Sequence, residues 1–179
     1  MVYLFLADGF EEIEALTPVD MLRRAGIEVT TVSLNETETV NGAHGIRVIA
    51  DALIDSVQPV DVDMVILPGG LPGADNLRNC PKVIEFIDVA DKKGAFIAAI
   101  CAAPRIIGEK GLLKNKKATC YPGFEEYLLG ADCTADGCVR DGNVITAKGM
   151  GKSSEFSLCL IEALKGKKTA DKIKDAVFA

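Results

Sequence analysis

Among the six cysteines and single histidine of this 179-residue chain, Cys101 occupies the position best suited to chemistry. It follows directly on the apolar run 95–100 and precedes Ala102, Ala103 and Pro104. The small neighbours permit a sharp strand-to-helix turn, and proline suits the first turn of a helix. A thiol at such a position meets the positive end of the helix dipole, which favours the thiolate. The sequence therefore predicts a nucleophile at Cys101, with a small buried core residue as the alternative.

Two other segments carry groups that could assist a thiolate. Glu11, Glu12 and Glu14 open a predicted helix, and favourable interaction with the helix dipole is sufficient to explain the first two. Glu14 lies further into the helix, where burial would raise its pKa and a protonated carboxyl could donate a hydrogen bond to a thiolate. Gly69 and Gly70 follow another predicted strand and offer backbone N–H groups that can stabilise an oxyanion. An ordinary glycine-rich turn is the alternative for that pair.

The elements that must position these groups alternate along the chain. Short apolar runs predict strands at 2–7, 28–34, 62–67, 94–100, 117–120, 137–140 and 143–148. Helical periodicity predicts helices at 11–25, 81–92, 104–111, 153–164 and 170–177, and the segment 35–57 is expected to hold a short hairpin and a short helix. Strands separated by helices predict an α/β fold with a mostly parallel sheet and helices on both faces. Ligands bind such sheets beyond the carboxyl ends of the strands, where the three segments with chemistry lie.

Composition narrows the possible functions. The balance of 49% apolar and 26% charged residues fits one globular domain, and the net charge of −6 with no dense basic cluster predicts no nucleic-acid partner. No apolar run approaches the roughly 20 residues of a membrane span, and no basic stretch precedes the first apolar run. We therefore expect a cytoplasmic protein with reduced thiols. The cysteines show no C-x-x-C spacing, His44 is alone, and no P-loop or dinucleotide motif is found, so neither a metal nor a cofactor is predicted.

Taken in order, these segments resemble the DJ-1 branch of the ThiJ/PfpI superfamily over essentially the whole chain. The resemblance rests on Glu11–Glu14, Pro18–Asp20, Arg23–Gly26, Leu67–Gly70, Ala98–Pro104, Gly149–Gly151 and Ser154–Phe156, and on their order and spacing. It implies a flavodoxin-like three-layer sandwich formed by a single domain over residues 1–179, of the class I glutamine amidotransferase-like type. It also implies a homodimer.

The same resemblance implies roles for the site residues. Cys101 would be the reactive cysteine of a nucleophile elbow and Glu14 its protonated carboxyl partner, while Gly69, Gly70 and Ala102 would supply backbone donors. The implied function is a cysteine-dependent stress-response protein that acts on small reactive dicarbonyls or glycated adducts, with cofactor-free glyoxalase or deglycase chemistry. The alternative is a redox sensor or chaperone whose cysteine is oxidised to sulfinic acid without turnover.

One departure from the family pattern bears on mechanism. Many relatives carry a histidine just before a proline near the nucleophile, and here Tyr121 stands before Pro122. A Cys–His dyad needs an imidazole beside the thiol, so its absence argues against an intracellular protease. The ordinary pKa of tyrosine, about 10, makes Tyr121 a poor base near neutral pH.

The roles of the remaining cysteines are less constrained by the sequence. Cys120 precedes Tyr121 and is either a resolving thiol near Cys101 or an inert strand residue. Cys133 and Cys138 flank a predicted turn and could pair, whereas Cys159 is expected on the core face of a helix.

Overall fold

The computed structural model describes every residue from Met1 to Ala179. Its strands are β1 (Val2–Leu6), β2 (Val29–Ser33), β3 (Thr39–Asn41), β4 (Arg47–Ile49), β5 (Ala52–Leu53), β6 (Met64–Leu67), β7 (Phe96–Ile100), β8 (Lys117–Ala118), β9 (Asp132–Cys133), β10 (Cys138–Asp141) and β11 (Val144–Ala147). Its helices are α1 (Glu12–Arg24), α2 (Gly73–Asn79), α3 (Pro81–Lys93), α4 (Pro104–Glu109), α5 (Ser153–Lys165) and α6 (Lys167–Val177). Single 3₁₀ turns occupy Ile54–Ser56, Glu125–Tyr127 and Met150–Lys152.

Seven strands form the central sheet in the order β10-β11-β7-β6-β1-β2-β5. All neighbours in it pair in parallel except β10, which runs antiparallel to β11 and is joined to it by a turn at Gly142 and Asn143. Outside it, β3 and β4 form an antiparallel hairpin, and β8 pairs with β9 in parallel. The predicted mostly parallel sheet is confirmed, as is the hairpin in the segment 35–57.

Alternation along the buried strands creates the layers. In β1, Leu4 and Leu6 face the core that also holds apolar residues of α1 and α5, whereas Tyr3 and Phe5 face the core that holds apolar residues of α3. Successive side chains of a strand point to opposite faces, so a fully apolar strand contributes to both cores. The result is a three-layer α/β sandwich of flavodoxin-like type, as predicted.

The N-terminus of α1, next to the site, is capped by a nearby side chain. The side chain of Glu11 caps α1 by accepting a hydrogen bond from the N–H of Glu14 at 2.7 Å.

The predicted helices are present with ends shifted by up to three residues, but α2 was not predicted, because it begins in the glycine- and proline-rich segment after β6. None of the helices combines the length and the apolar character that crossing a bilayer would require.

Candidate active site

Cys101 occupies a strained turn between β7 and α4. Its φ of 64° lies in the left-handed region, which costs a residue with a Cβ about 1–2 kcal/mol. Hydrogen bonds hold the turn on both sides: the Cys101 N–H donates to the carbonyl of Ala147, and its carbonyl accepts from the N–H of Tyr121, both at 2.9 Å. The surrounding backbone thus maintains a conformation that Cys101 would not adopt by itself.

Glu14 lies beneath this turn and is almost completely buried, with 1% of its surface exposed. Its Oε2 accepts a hydrogen bond from the Gly69 N–H at 3.0 Å, and its carboxyl also bonds to the Cys101 side chain and to the N–H of Met150. Burial raises the pKa of Glu14 to about 7, in spite of these hydrogen bonds. Glu14 is therefore a buried carboxyl whose pKa lies above its ordinary value.

Only glycine fits at position 69, because Glu14 and Cys101 occupy the space that a side chain would need. A Cβ built on it would lie 2.5 Å from Glu14 Oε2, 2.6 Å from Cys101 Cβ and 3.1 Å from Cys101 Sγ. Gly70 has a φ of +83°, and a Cβ there would lie 2.4 Å from the backbone nitrogen of Glu11. The glycine pair thus lets three chain segments meet at one point, which an ordinary loop would not require.

Some of the predicted backbone N–H donors bind the Cys101 sulfur, and the others bind the Glu14 carboxyl. The N–H groups of Gly70 and Ala102 form hydrogen bonds with the Cys101 sulfur and favour its thiolate. The N–H of Gly69 points instead to the Glu14 carboxyl. Two of the three expected donors therefore serve the sulfur, and the third holds the carboxyl beside it.

The Cys101 sulfur and the Glu14 carboxyl influence each other's protonation. Burial, followed by the negative charge of Glu14 and the hydrogen bond to it, raises the pKa of the Cys101 thiol to about 12. These effects outweigh the hydrogen bonds from the N–H groups of Gly70 and Ala102, which lower the pKa of the thiol. While Glu14 is ionised, the proton stays on sulfur, and Glu14 is the nearest base that can accept it.

This constellation agrees with the family comparison. Residues 1–163 match the model of the DJ-1/PfpI family. The chain belongs to the DJ-1/PfpI family.

Individual relatives extend over nearly the whole chain. DJ-1 homolog A of Arabidopsis thaliana is 41% identical over 99% of this chain, but the match spans only 46% of that relative's length. The glutathione-independent glyoxalase DJR-1.2 of Caenorhabditis elegans is 34% identical, with 94% of this chain and 91% of the relative covered. The oxidized DJ-1 structure of Toxoplasma gondii is 35% identical with a TM-score of 0.95, covering 99% of this chain and 97% of that one.

Tyr121 stands where the resemblance to DJ-1/PfpI proteins led us to expect a histidine. Its side chain reaches the site from the rim, because a Cβ on Gly149 would lie 3.3 Å from Tyr121 Cδ2 and 3.9 Å from Glu14 Oε1. The residue is 51% exposed. Its ring therefore bounds the site of this DJ-1/PfpI protein without supplying an imidazole-like base.

Cys120 is buried in the core on the α3 side of the sheet. Burial raises the pKa of its thiol to about 12, with further contributions from the charges of Glu125 and Cys133. The nearby thiol that acts on it electrostatically is thus Cys133, and a buried, protonated thiol is poorly suited to resolving a sulfenic acid. The reading of Cys120 as an inert residue has the greater support.

Sequence reasoning missed a link between α1 and the β3–β4 hairpin of this DJ-1/PfpI domain. Glu12, only 2% exposed, accepts hydrogen bonds from the His44 N–H at 2.7 Å and from His44 Nδ1 at 2.9 Å. Burial by itself would raise the pKa of Glu12, but the hydrogen bonds from His44 and Ile46 outweigh it and lower that pKa. Glu12 is therefore more than a residue that interacts with the helix dipole.

The region of this link also contains the one cluster of side chains that could together bind a metal ion. Atoms of Glu11, Glu12 and His44 lie within 4.8 Å of one another. Glu11 already accepts from the Glu14 N–H, and both oxygens of Glu12 accept from His44. These contacts give the cluster a sufficient structural role in attaching the hairpin to α1.

Proposed function

We propose that this protein is a cysteine-dependent stress-response enzyme that acts on small reactive dicarbonyls, or on the adducts they form, by cofactor-free glyoxalase or deglycase chemistry. The observation that carries the proposal is the meeting of the Cys101 sulfur, the Glu14 carboxyl and the N–H groups of Gly70 and Ala102 at one sheet edge. The relative whose name specifies a glutathione-independent glyoxalase supports it.

Addition to the aldehyde is the first step, with methylglyoxal as the example. The Cys101 sulfur bonds to the aldehyde carbon, the thiol proton moves to Glu14, and the carbonyl electron pair moves to oxygen. Glu14 then returns the proton to that oxygen, giving a hemithioacetal. Backbone N–H groups beside the sulfur stabilise the charge that develops on the way.

Proton transfer between the two carbons completes the reaction. Glu14 removes the proton from the former aldehyde carbon to give an enediolate, and the hydroxyl proton passes from the first oxygen to the second. Glu14 then returns its proton to the neighbouring carbon, and the first oxygen becomes the carbonyl of a lactoyl thioester. One carbon is oxidised and its neighbour reduced, so no external electron acceptor is required. Water then cleaves the thioester, releasing lactate and the Cys101 thiol. The pKa of Glu14 near 7 suits a group that must both accept and donate a proton.

Lactate formation from methylglyoxal tests this proposal. We expect turnover by the purified protein, loss of turnover in Cys101→Ala, and a fall of about 100-fold or more in Glu14→Gln, because general acid–base groups contribute about 10²–10⁴-fold. Cys133→Ser, at an exposed cysteine, is the matched control and should retain the full rate. Equal rates for the wild type and Cys101→Ala would contradict the proposal.

A second candidate is a redox sensor or chaperone that performs no turnover, and the oxidized form of the Toxoplasma relative favours it. Two peroxide molecules would convert the Cys101 thiol to sulfinic acid with release of two waters, and a protonated Glu14 would donate a hydrogen bond to the product. Intact mass after mild peroxide treatment should show two oxygens on Cys101 first. Prior oxidation of another cysteine would speak against this candidate.

The proposal includes a homodimer in the cytoplasm. Ile13 on α1 and Ile46 and Ile49 of the hairpin region are exposed apolar side chains, and α1 and the hairpin are joined by the Glu12–His44 link. Light scattering should give twice the chain mass. Ile49→Lys, which places a charge at the most exposed of the three, should shift the equilibrium towards the monomer. A monomeric wild type would contradict this part of the proposal.

A further inference from the structure

A second pair of sulfur atoms lies outside the site. Cys138 begins β10, opposite Ala147 of β11, and Cys159 lies on α5. Both are half-buried and pack against the same core cluster. Their two side chains share a hydrogen bond. The two thiols therefore interact across the junction of an edge strand and a helix.

Backbone packing brings the strand and the helix together independently of the thiols. A Cβ on Gly137 would lie 2.9 Å from Glu155 Oε2 and 2.5 Å from the side chain of Lys152. The chain entering β10 thus runs directly against the first turn of α5. Because residues four apart share a helix face, Cys159 lies on the same side as Glu155 and faces the start of the strand.

The charges around the pair make its members unequal. The hydrogen bond from Cys138 lowers the pKa of Cys159, as does the Arg140 guanidinium, and these outweigh burial and the charges of Glu155 and Glu162. The same hydrogen bond, together with burial, raises the pKa of Cys138. Cys159 is therefore the member that ionises first, and Cys138 is the one that keeps its proton.

We propose that Cys138 and Cys159 form a second redox centre, which peroxides convert to an intramolecular disulfide joining β10 to α5. The Cys159 thiolate attacks the peroxide oxygen, breaking the O–O bond to give a sulfenic acid and hydroxide. The Cys138 thiol then attacks the Cys159 sulfur, and its proton and the sulfenic hydroxyl leave as water. The two sulfurs lose two electrons in total, and one peroxide is reduced.

The disulfide would enclose a functionally placed segment. The chain between Cys138 and Cys159 contains Met150, whose N–H bonds to Glu14. Cross-linking residues that flank such a loop restricts the unfolded chain and stabilises the fold. The centre itself needs neither Cys101 nor Glu14, so it does not depend on the proposed enzymatic function.

The test uses the full chain with Cys101→Ser, so that the elbow thiol cannot contribute. After brief treatment with hydrogen peroxide, free thiols are blocked with N-ethylmaleimide and peptides are mapped without reductant. We expect the loss of two hydrogen atoms from the intact mass and a linked pair of peptides containing Cys138 and Cys159. Thermal unfolding should shift upward by about 5 °C or more, and dithiothreitol should reverse the shift.

Matched variants separate this outcome from other thiol oxidation. The linked peptide should vanish in Cys138→Ser and in Cys159→Ser, and persist in Cys133→Ser, whose exposed thiol is the control. Recovery of both Cys138 and Cys159 as maleimide adducts after oxidation would overturn the proposal, as would linkage of either to a different cysteine. If a variant with a second serine fails to fold, the Cys101→Ser protein still tests the proposal. Its mass change on oxidation should be reversed by dithiothreitol.

Discussion

The elbow and the dithiol pair place similar half-buried cysteines in contrasting surroundings. Cys101 has a left-handed backbone and a buried carboxyl partner, whereas Cys159 has a regular helical backbone and a thiol partner. A carboxyl can exchange a proton with sulfur but cannot form a covalent bond to it in a redox step, while a second thiol can. The partner, more than the burial of the sulfur, therefore directs the elbow towards addition chemistry and the pair towards a disulfide.

Removing each sulfur in turn gives the largest expected difference between the two regions. For Cys101→Ser, we expect kcat/KM for methylglyoxal to fall by at least about a thousandfold, because the attacking atom is lost. Cys159→Ser should leave lactate formation unchanged, since that sulfur touches none of the reacting groups. Comparable losses in both variants, measured by the same lactate assay, would remove the functional distinction.

The buried carboxyl should also appear in the pH dependence of stability. The folded pKa of Glu14, about 7, lies above its ordinary value of 4.5, so its stabilising contribution is complete below pH 4.5 and is lost as the pH rises through 7. Glu14→Gln has no charge to bury, so it should be more stable than the wild type by up to about 3 kcal/mol at pH 9. The difference should vanish near pH 4 in urea unfolding.

A surface carboxyl provides the control for that experiment. Glu126→Gln, at an exposed position, should change the free energy of unfolding by less than about 0.5 kcal/mol at each pH. A constant difference between Glu14→Gln and the wild type from pH 4 to pH 9 would mean that the Glu14 carboxyl does not titrate in this range.

Glycine and alanine substitutions should have opposite orders of stability at the two sites. At Cys101, glycine should be more stable than alanine by about 1 kcal/mol, because only glycine adopts a positive φ without strain. At Cys159, inside α5, alanine should be more stable than glycine by about 1 kcal/mol. Chemical denaturation of the four variants measures both differences, and the same order at both sites would contradict the strained elbow.

Tyr121→Phe should have the smallest effect. The side chain is half-exposed at the rim of the site, so we expect kcat/KM for methylglyoxal to change by less than about threefold. A fall of tenfold or more would assign the hydroxyl a role in the reaction, and would make Tyr121 the functional counterpart of the histidine expected there.

Local patterns were sufficient to predict the framework of the site. Continuous apolar runs identified the strands that form the centre of the sheet, and the small residues around Cys101 identified the elbow. The convergence of Glu14 and Gly69 with Cys101 followed from the rule that the carboxyl ends of parallel strands meet at one edge. These features depend on short segments whose preferences agree with the fold.

Other features depend on long-range register, which one sequence does not reveal. The Glu12–His44 link joins residues far apart in the chain, and the Cys138–Cys159 contact depends on how α5 packs against β10. The turn spacing suggested Cys138 with Cys133, but the structure places Cys138 against Cys159 and Cys133 near Cys120. The protonation of the Cys101 thiol likewise depends on the depth of its burial and on the charge of Glu14, which local sequence patterns do not reveal.

The burial of Glu14 against Cys101 links sulfur oxidation to proton uptake. A sulfinate is a permanent anion near neutral pH, and an anion beside a buried carboxyl raises the pKa of that carboxyl further. Because Glu14 titrates at about 7 beside the reduced thiol, oxidation at physiological pH would fix a proton that the reduced site holds only part of the time. The oxidation state of the sulfur would thereby be recorded as a change in the number of protons bound to the molecule.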